Sequence, residues 1–175
     1  MRKDDEMSIH RIVIPFIFGA LFGCSDASGP GSDTDGRLYF NSFESPQDTA
    51  GWRGYGRMEI VDEACPGGGQ HSVLISGGCF HPHASLDIAG PGEDSFVRLR
   101  CWGRNLASGG GLALTRTGNQ GRGAFVVVAD TSWTMYQSSD TLFVSAGDSL
   151  HIEMSSGGFI YSAMLVDQLE IVRMK

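Results

Sequence analysis

Lysine is almost missing from this chain: Lys3 and Lys175 are the only two, and acids outnumber bases to give a formal charge of −7. A nucleic-acid surface needs clustered positive charge, so that class of partner is excluded. No apolar run reaches the length that spans a bilayer as a helix; the longest, "IVIPFIFGALFG" (Ile12 to Gly23), is too short. Also missing are "GxSxG", "HExxH" and any glycine loop that cradles phosphate before a helix, so the usual signatures of hydrolases, zinc proteases and nucleotide enzymes are lacking. From Arg37 onward no convincing helical pattern occurs.

What is abundant is glycine, 25 residues, set between short alternating apolar runs. The runs are "RLYFNSF", "GRMEIVDEA", "HSVLISG", "ASLDIA", "DSFVRLRCWGR", "GLALTR", "GAFVVVA", "WTMYQ", "TLFVSA", "SLHIEMS" and "FIYSAMLVDQLEIVRM". Turn residues such as "PGGG", "AGPGED" and "SAGDS" separate them. Eleven strands without crossover helices predict an all-β domain of two packed antiparallel sheets over residues 37–175.

The front of the chain reads differently. The apolar run suits the core of an export signal. Its end, "LFGC", resembles the lipobox of bacterial lipoproteins, with Leu21 at −3, Gly23 at −1 and then Cys24. That resemblance implies a signal peptide over 1–23 and lipidation of Cys24. It makes a membrane, reached through the lipid anchor, one partner. An uncleaved apolar anchor is the alternative. Asp4, Asp5 and Glu6 do not suit a signal's positive end, whereas a start at Met7 leaves Arg11 as the charge and no acid. Residues 24–36, "CSDASGPGSDTDG", are too small and polar to fold and form a tether. By the sorting convention of lipoproteins, Ser25 favours the outer membrane, which places the chain in the cell envelope.

Export leads to an oxidising compartment, where disulfides persist. Cys101 alternates with Val97 and Leu99 and reads as a buried thiol. Cys65 and Cys79 bound the hairpin "CPGGGQHSVLISGGC" and are the candidate disulfide, although spacing alone does not fix connectivity.

Several pieces in order resemble the carbohydrate-binding β-sandwich modules of bacterial glycanases, which share the galactose-binding-like jelly roll. They are "FNSFESPQDTAGW", "GGQHSVLI", "GPGEDSFVRLRCWGR", "SWTMYQSSDTLFVSAGDSLHIEM" and "VDQLEI". The resemblance covers Leu38 to Val172 and implies a jelly-roll β-sandwich, a polysaccharide partner and no catalysis. It also implies a structural calcium ion on Glu44 and Asp167. Alternation agrees that both are unusual, since it puts Glu44 in phase with Leu38, Phe40 and Ser42, and Asp167 in phase with Leu165, Leu169 and Ile171. A buried unpaired carboxylate is costly, and two carboxylates with loop carbonyls suit calcium. The alternatives are a bulge that turns Asp167 to solvent, or backbone N–H donors that meet it.

For a ligand, the outward phase of "FVRLRCWGR" carries Arg98, Arg100, Trp102 and Arg104, and that of "SLHIEM" carries His151 and Glu153. A flat ring beside planar donors suits a sugar platform. If both strands share a sheet, Trp102, Arg100, Arg98, His151 and Glu153 lie on one face. Simple cover of the sheet by Trp102 and the arginine stems is the alternative. His81 and His83 form a polar loop pair or a metal pair, and Trp52 and Trp133 read as core. Other functions stay open: a structural or protein-interaction sandwich without a glycan site, or a glycan hydrolase, which needs a carboxylate pair, and the surroundings pick out only Glu44 and Asp167, whose phase suggests a metal site.

Overall fold

The computed structural model describes residues 36–78, 80–157 and 161–174, without the side chains of 119–122. The lipobox with Cys24, the alternative start at Met7, most of the tether, and Cys79 of the expected disulfide lie outside them. Twelve strands and one 3-10 turn, Pro46–Thr49, make up the regular structure of these residues. The strands are β1 (Arg37–Asn41), β2 (Arg53–Tyr55), β3 (Arg57–Val61), β4 (Ser72–Gly77), β5 (His83–Ala89) and β6 (Ser95–Ala107), followed by β7 (Gly110–Arg116), β8 (Asn119–Val128), β9 (Thr134–Gln137), β10 (Leu142–Val144), β11 (Ser149–Ser156) and β12 (Ser162–Met174). Only β2 escapes the sequence reading. It is three residues long, wholly exposed and centred on Gly54, so it carries no alternation to detect.

The strands form two antiparallel sheets, as expected for a jelly-roll sandwich. Sheet A is built on the two thirteen-residue strands β6 and β12. β12 receives β1 and β4 on its other edge, β6 receives β9 and β10, and β3 pairs with β4. Sheet B runs β2-β5-β11-β7-β8. First and last strands are neighbours, with Arg37 opposite Val172 and Asn41 opposite Leu169.

The core lies between the sheets. Val97, Leu99 and Cys101 of β6 and Val73 and Ile75 of β4 meet Leu150, Ile152 and Met154 of β11, all essentially without solvent contact. Each such aliphatic side chain stabilises the fold by about 1.5–3 kcal/mol on burial. Cys101 is the expected core thiol, and burial pushes its pKa up to about 12. Trp52 packs against this core at 6.2 Å from the Phe43 ring. Trp133 does not. Its indole N–H instead reaches Glu63 at 3.2 Å, outside the inter-sheet core.

Two backbone irregularities overturn the phases read from sequence. In β1 the pairing with β12 slips between Arg37 and Tyr39, so Leu38 and Tyr39 both pack on the core and Phe40 faces outward with Glu170. Asn41 and Phe43 then lie inside, Phe43 at φ +53° with its N–H donating to Asn41 Oδ1, and Ser42 and Glu44 are only half-buried. In β12 the pairing with β6 slips between Asp167 and Glu170, and Gln168 sits at φ +45°. This is a β-bulge, and it exchanges the two faces of the strand. Met164 and Val166 face the core before it, Leu169 and Ile171 after it. Asp167 and Leu165 therefore point away from the inter-sheet core, although both are buried.

Candidate functional site

Asp167 lies on the outer side of sheet A beneath the loop that starts at Cys65, and no solvent reaches it. The backbone N–H of Cys65 donates to its Oδ2 at 3.0 Å, and that of Gln168 to its Oδ1 at 2.7 Å. Glu44 meets the same loop further on. The backbone N–H groups of Gln70 and His71 donate to Oε2 and Oε1 at 3.0 and 3.5 Å, and the His71 ring lies 3.4 Å from Oε2. Glycine lets the loop come this close. A Cβ on Gly68 would stand 2.7 Å from Asp167 Oδ2, and one on Gly69 would stand 2.0 Å from Glu44 Oε1.

Burial pushes the Asp167 carboxyl above its ordinary pKa, and the Glu44 charge adds to that rise. The donors from Cys65 and Gln168 oppose it. Burial, with Asp167 beside it, pushes the Cys65 thiol up to about 12. Backbone donors thus meet both acids. The His71 ring and the Cys65 thiol take part of the remaining acceptor capacity of the two carboxylates, and the Gly67 carbonyl lies close enough to accept the Gln168 amide at 3.3 Å. This all-oxygen donor set fits a hard cation in kind. Among the described residues no three His, Cys, Asp or Glu side chains gather as a metal cluster, so an ion here would need carbonyls as well.

The expected shared ligand face is not formed. β6 belongs to sheet A and β11 to sheet B, so Trp102, Arg98 and Arg100 lie on one outside of the sandwich, and His151 and Glu153 on the other. The intervening core separates them. Arg104, the next outward residue of β6, pairs with Glu63, which also accepts the Trp133 indole.

Directly paired residues project to the same face, so strand register lays out the outside of sheet B in rows. One row runs Tyr55, His83, Ser155, Gly111, Val127. The next runs Arg53, Ser85, Glu153, Ala113, Phe125. The third holds Asp87, His151 and Thr115. Exposed apolar residues stand at both margins: Tyr55 (59% exposed) with Phe80 (68%) on one, Phe125 (52%) with Val127 (71%) on the other. Tyr55 and Phe80 meet edge-on, 6.0 Å between centroids. Between the margins are Glu153 and His151, the latter 2.8 Å from Asp87. A shallow groove of about 210 Å³ runs between Glu153 and Phe125.

Four strand spacings separate the margins, roughly 19 Å, which spans several sugar rings. Of this face the sequence reading found His151 and Glu153. Phe125 and Val127 were visible in the outward phase of "GAFVVVA"; Tyr55 lay hidden in the short β2, and Phe80 in a loop. His83 sits on the sheet B face, its ring 3.5 Å from the His81 carbonyl.

No protein-family model matches the sequence, and no curated protein matches it. Solved structures do match, several carbohydrate-binding modules among them. The CBM22-1 xylan-binding domain of Xyn10C from Paenibacillus barcinonensis aligns with a TM-score of 0.57 at 20% identity, over 79% of this chain and 95% of that domain. A second, the family 16 carbohydrate-binding module-2, aligns with a TM-score of 0.55 at 14% identity, over 71% and 92%. The enzymatically active domain of bacteriophage CBA120 tailspike protein 4 also aligns, with a TM-score of 0.57 at 12% identity, over 84% of this chain but 22% of that one. At these identities the likeness shows the fold, a jelly-roll β-sandwich of the kind found in carbohydrate-binding modules.

Proposed function

We propose that this chain is a lipid-anchored, non-catalytic carbohydrate-binding module of the cell envelope, acylated at Cys24, with the outside of sheet B as its glycan face. The observation that carries this reading is the arrangement of that face, with aromatic rings at both margins, Arg53 beside Tyr55 on one of them, and Glu153, His151 and Asp87 between them. Aromatic faces cover the apolar C–H surfaces of a sugar, while carboxylate, imidazole and guanidinium groups bond its hydroxyls. The fold, shared with the xylan-binding CBM22-1 domain, supports the same reading. Trp102, Arg98 and Arg100 stand on the opposite outside and have no part in this face.

The proposal includes a structural calcium ion on Glu44 and Asp167, completed by carbonyls of the glycine loop. When bound, it would neutralise two acids now met by backbone N–H groups, the His71 ring and the Cys65 thiol.

Affinity electrophoresis of the chain from Ser25 tests the glycan reading. Gels cast with xylan, galactan or mixed-linkage glucan should retard it, and Phe125→Ala should weaken that retardation with an unchanged melting curve. Free migration in all of them would remove the glycan face.

A further inference from the structure

The outside of sheet A also falls into rows. The first is Phe143, Phe96 and Met174, the second Arg98, Val172 and Arg37, and the third Gln137, Arg100, Glu170 and Phe40. Phe96 and Phe143 are 52% and 43% exposed, and their rings lie 5.3 Å apart. Arg98 has a buried Nε without a hydrogen-bond partner among the described residues. Arg37 stands 4.7 Å over the Phe40 ring and 3.7 Å from Glu170. Glu170 is the one acid in these rows, against three arginines, in a chain of net charge −7. Aromatic rings beside arginines suit the headgroup layer of a bilayer, where rings rest at the interface and guanidinium groups meet phosphate.

The course of the chain adds a second, independent argument. Gly36, where the described residues begin, is fixed to this corner, its carbonyl accepting the Arg173 N–H at 2.7 Å. Arg173 lies between Val172 and Met174, residues of the first two rows. Twelve residues upstream is Cys24, the proposed lipid site. A tether of that length delivers this corner to the membrane.

We infer that the Phe96, Phe143 and Arg98 corner of sheet A is a docking surface for an anionic lipid bilayer. It rests on the proposed anchoring for its location, but its contacts are the folded domain's own. Docked this way, the sandwich turns the outside of sheet B away from the membrane.

The test uses the unacylated chain Ser25 to Lys175, which holds the entire core, so a failure of lipidation at Cys24 does not affect it. Lipidation is read separately, by mass spectrometry of the chain expressed with its leader. The probe is sucrose-loaded vesicles of phosphatidylglycerol, with phosphatidylcholine as control. The chain should sediment with the anionic vesicles, and less so as salt rises. Arg98→Gln with Arg100→Gln should weaken binding roughly fivefold per arginine, and Phe96→Ser with Phe143→Ser should weaken it further. Brominated lipid should quench the tryptophan fluorescence of the wild-type chain, and Trp102→Phe should remove most of that quenching, since Trp102 lies on this outside of sheet A. No sedimentation with phosphatidylglycerol overturns the inference. So do binding that survives both substitutions, an arginine-dependent affinity for a soluble polyanion with none for vesicles, and a homodimer that buries the patch.

Discussion

Cys65 and Asp167 stand 102 residues apart in sequence, yet the backbone N–H of one meets the carboxylate of the other at 3.0 Å. This contact ties the glycine loop to the central strand of sheet A and seals Asp167 from water. A charge held this way is tolerated at a cost, which pH can reveal. Burial raises the folded-state pKa of Asp167 above its ordinary value of 3.8. A carboxyl shifted upward binds its proton more tightly when folded. Its contribution to stability is therefore greatest below the unfolded value and is lost as pH rises through the folded one. In EDTA, urea titrations of wild type and Asp167→Asn should differ in favour of wild type most at about pH 4 and least near neutrality. A difference that grows toward neutrality would contradict the assignment.

Gly69 tests how closely the loop must approach. A methyl group there would overlap the Glu44 carboxylate, whose side chain can swing away, so the backbone need not break. The loss is then the hydrogen bonds from Gln70 and His71. Gly69→Ala should cost roughly 1–2 kcal/mol in chemical denaturation. An unaffected stability would show that Glu44 does not anchor the loop.

Calcium should act at the same place. An ion bound only by the folded state at a hundred times its dissociation constant adds about 2.7 kcal/mol, or roughly 5–10 °C in melting temperature for a domain of this size. EDTA should remove that gain, and Glu44→Gln and Asp167→Asn should each abolish it. A melting curve indifferent to calcium and to EDTA in the wild-type chain ends the proposal for the ion.

How much of this was legible in the sequence depends on where alternation survives. β6 and β11 alternate cleanly, so Val97, Leu99 and Cys101, and Leu150, Ile152 and Met154, were placed inside, and the structure keeps them there. Alternation fails where the pairing slips. Between Arg37 and Tyr39, and at Gln168 with its positive φ, the faces reverse, and no side chain there announces it. Asp167 was rightly singled out, but the bulge sends it outward under a loop. Sheet membership was invisible as well. His151 and Trp102 have the same outward phase, and only the pairing of strands distant in sequence puts a core between them.

Phe43 gives that lesson a number. The sequence phase put Ser42 inside, whereas the structure buries Phe43 completely. Phe43→Ala should cost about 3–5 kcal/mol, and Ser42→Ala should stay within about 0.5 kcal/mol. Comparable costs at the two positions would restore the unbroken strand.

The two outsides of the sandwich can be told apart by a pair of tryptophan and phenylalanine substitutions. Phe125 stands beside Glu153 on sheet B, where a sugar ring can stack without moving a strand. Removing that ring should cost about 1 kcal/mol of binding, roughly fivefold in affinity for a retained polysaccharide. Trp102 stands opposite Asp167 on sheet A, beyond the core from any ligand on sheet B. Trp102→Ala should therefore leave glycan affinity unchanged while lowering the melting temperature, because a half-buried indole is lost from the sheet's cover. Isothermal titration with the retained polysaccharide measures both. If Trp102→Ala abolishes binding and Phe125→Ala does not, the glycan face belongs to sheet A. The arginines of β6 would then serve the sugar, and the lipid surface would lose its place on that sheet.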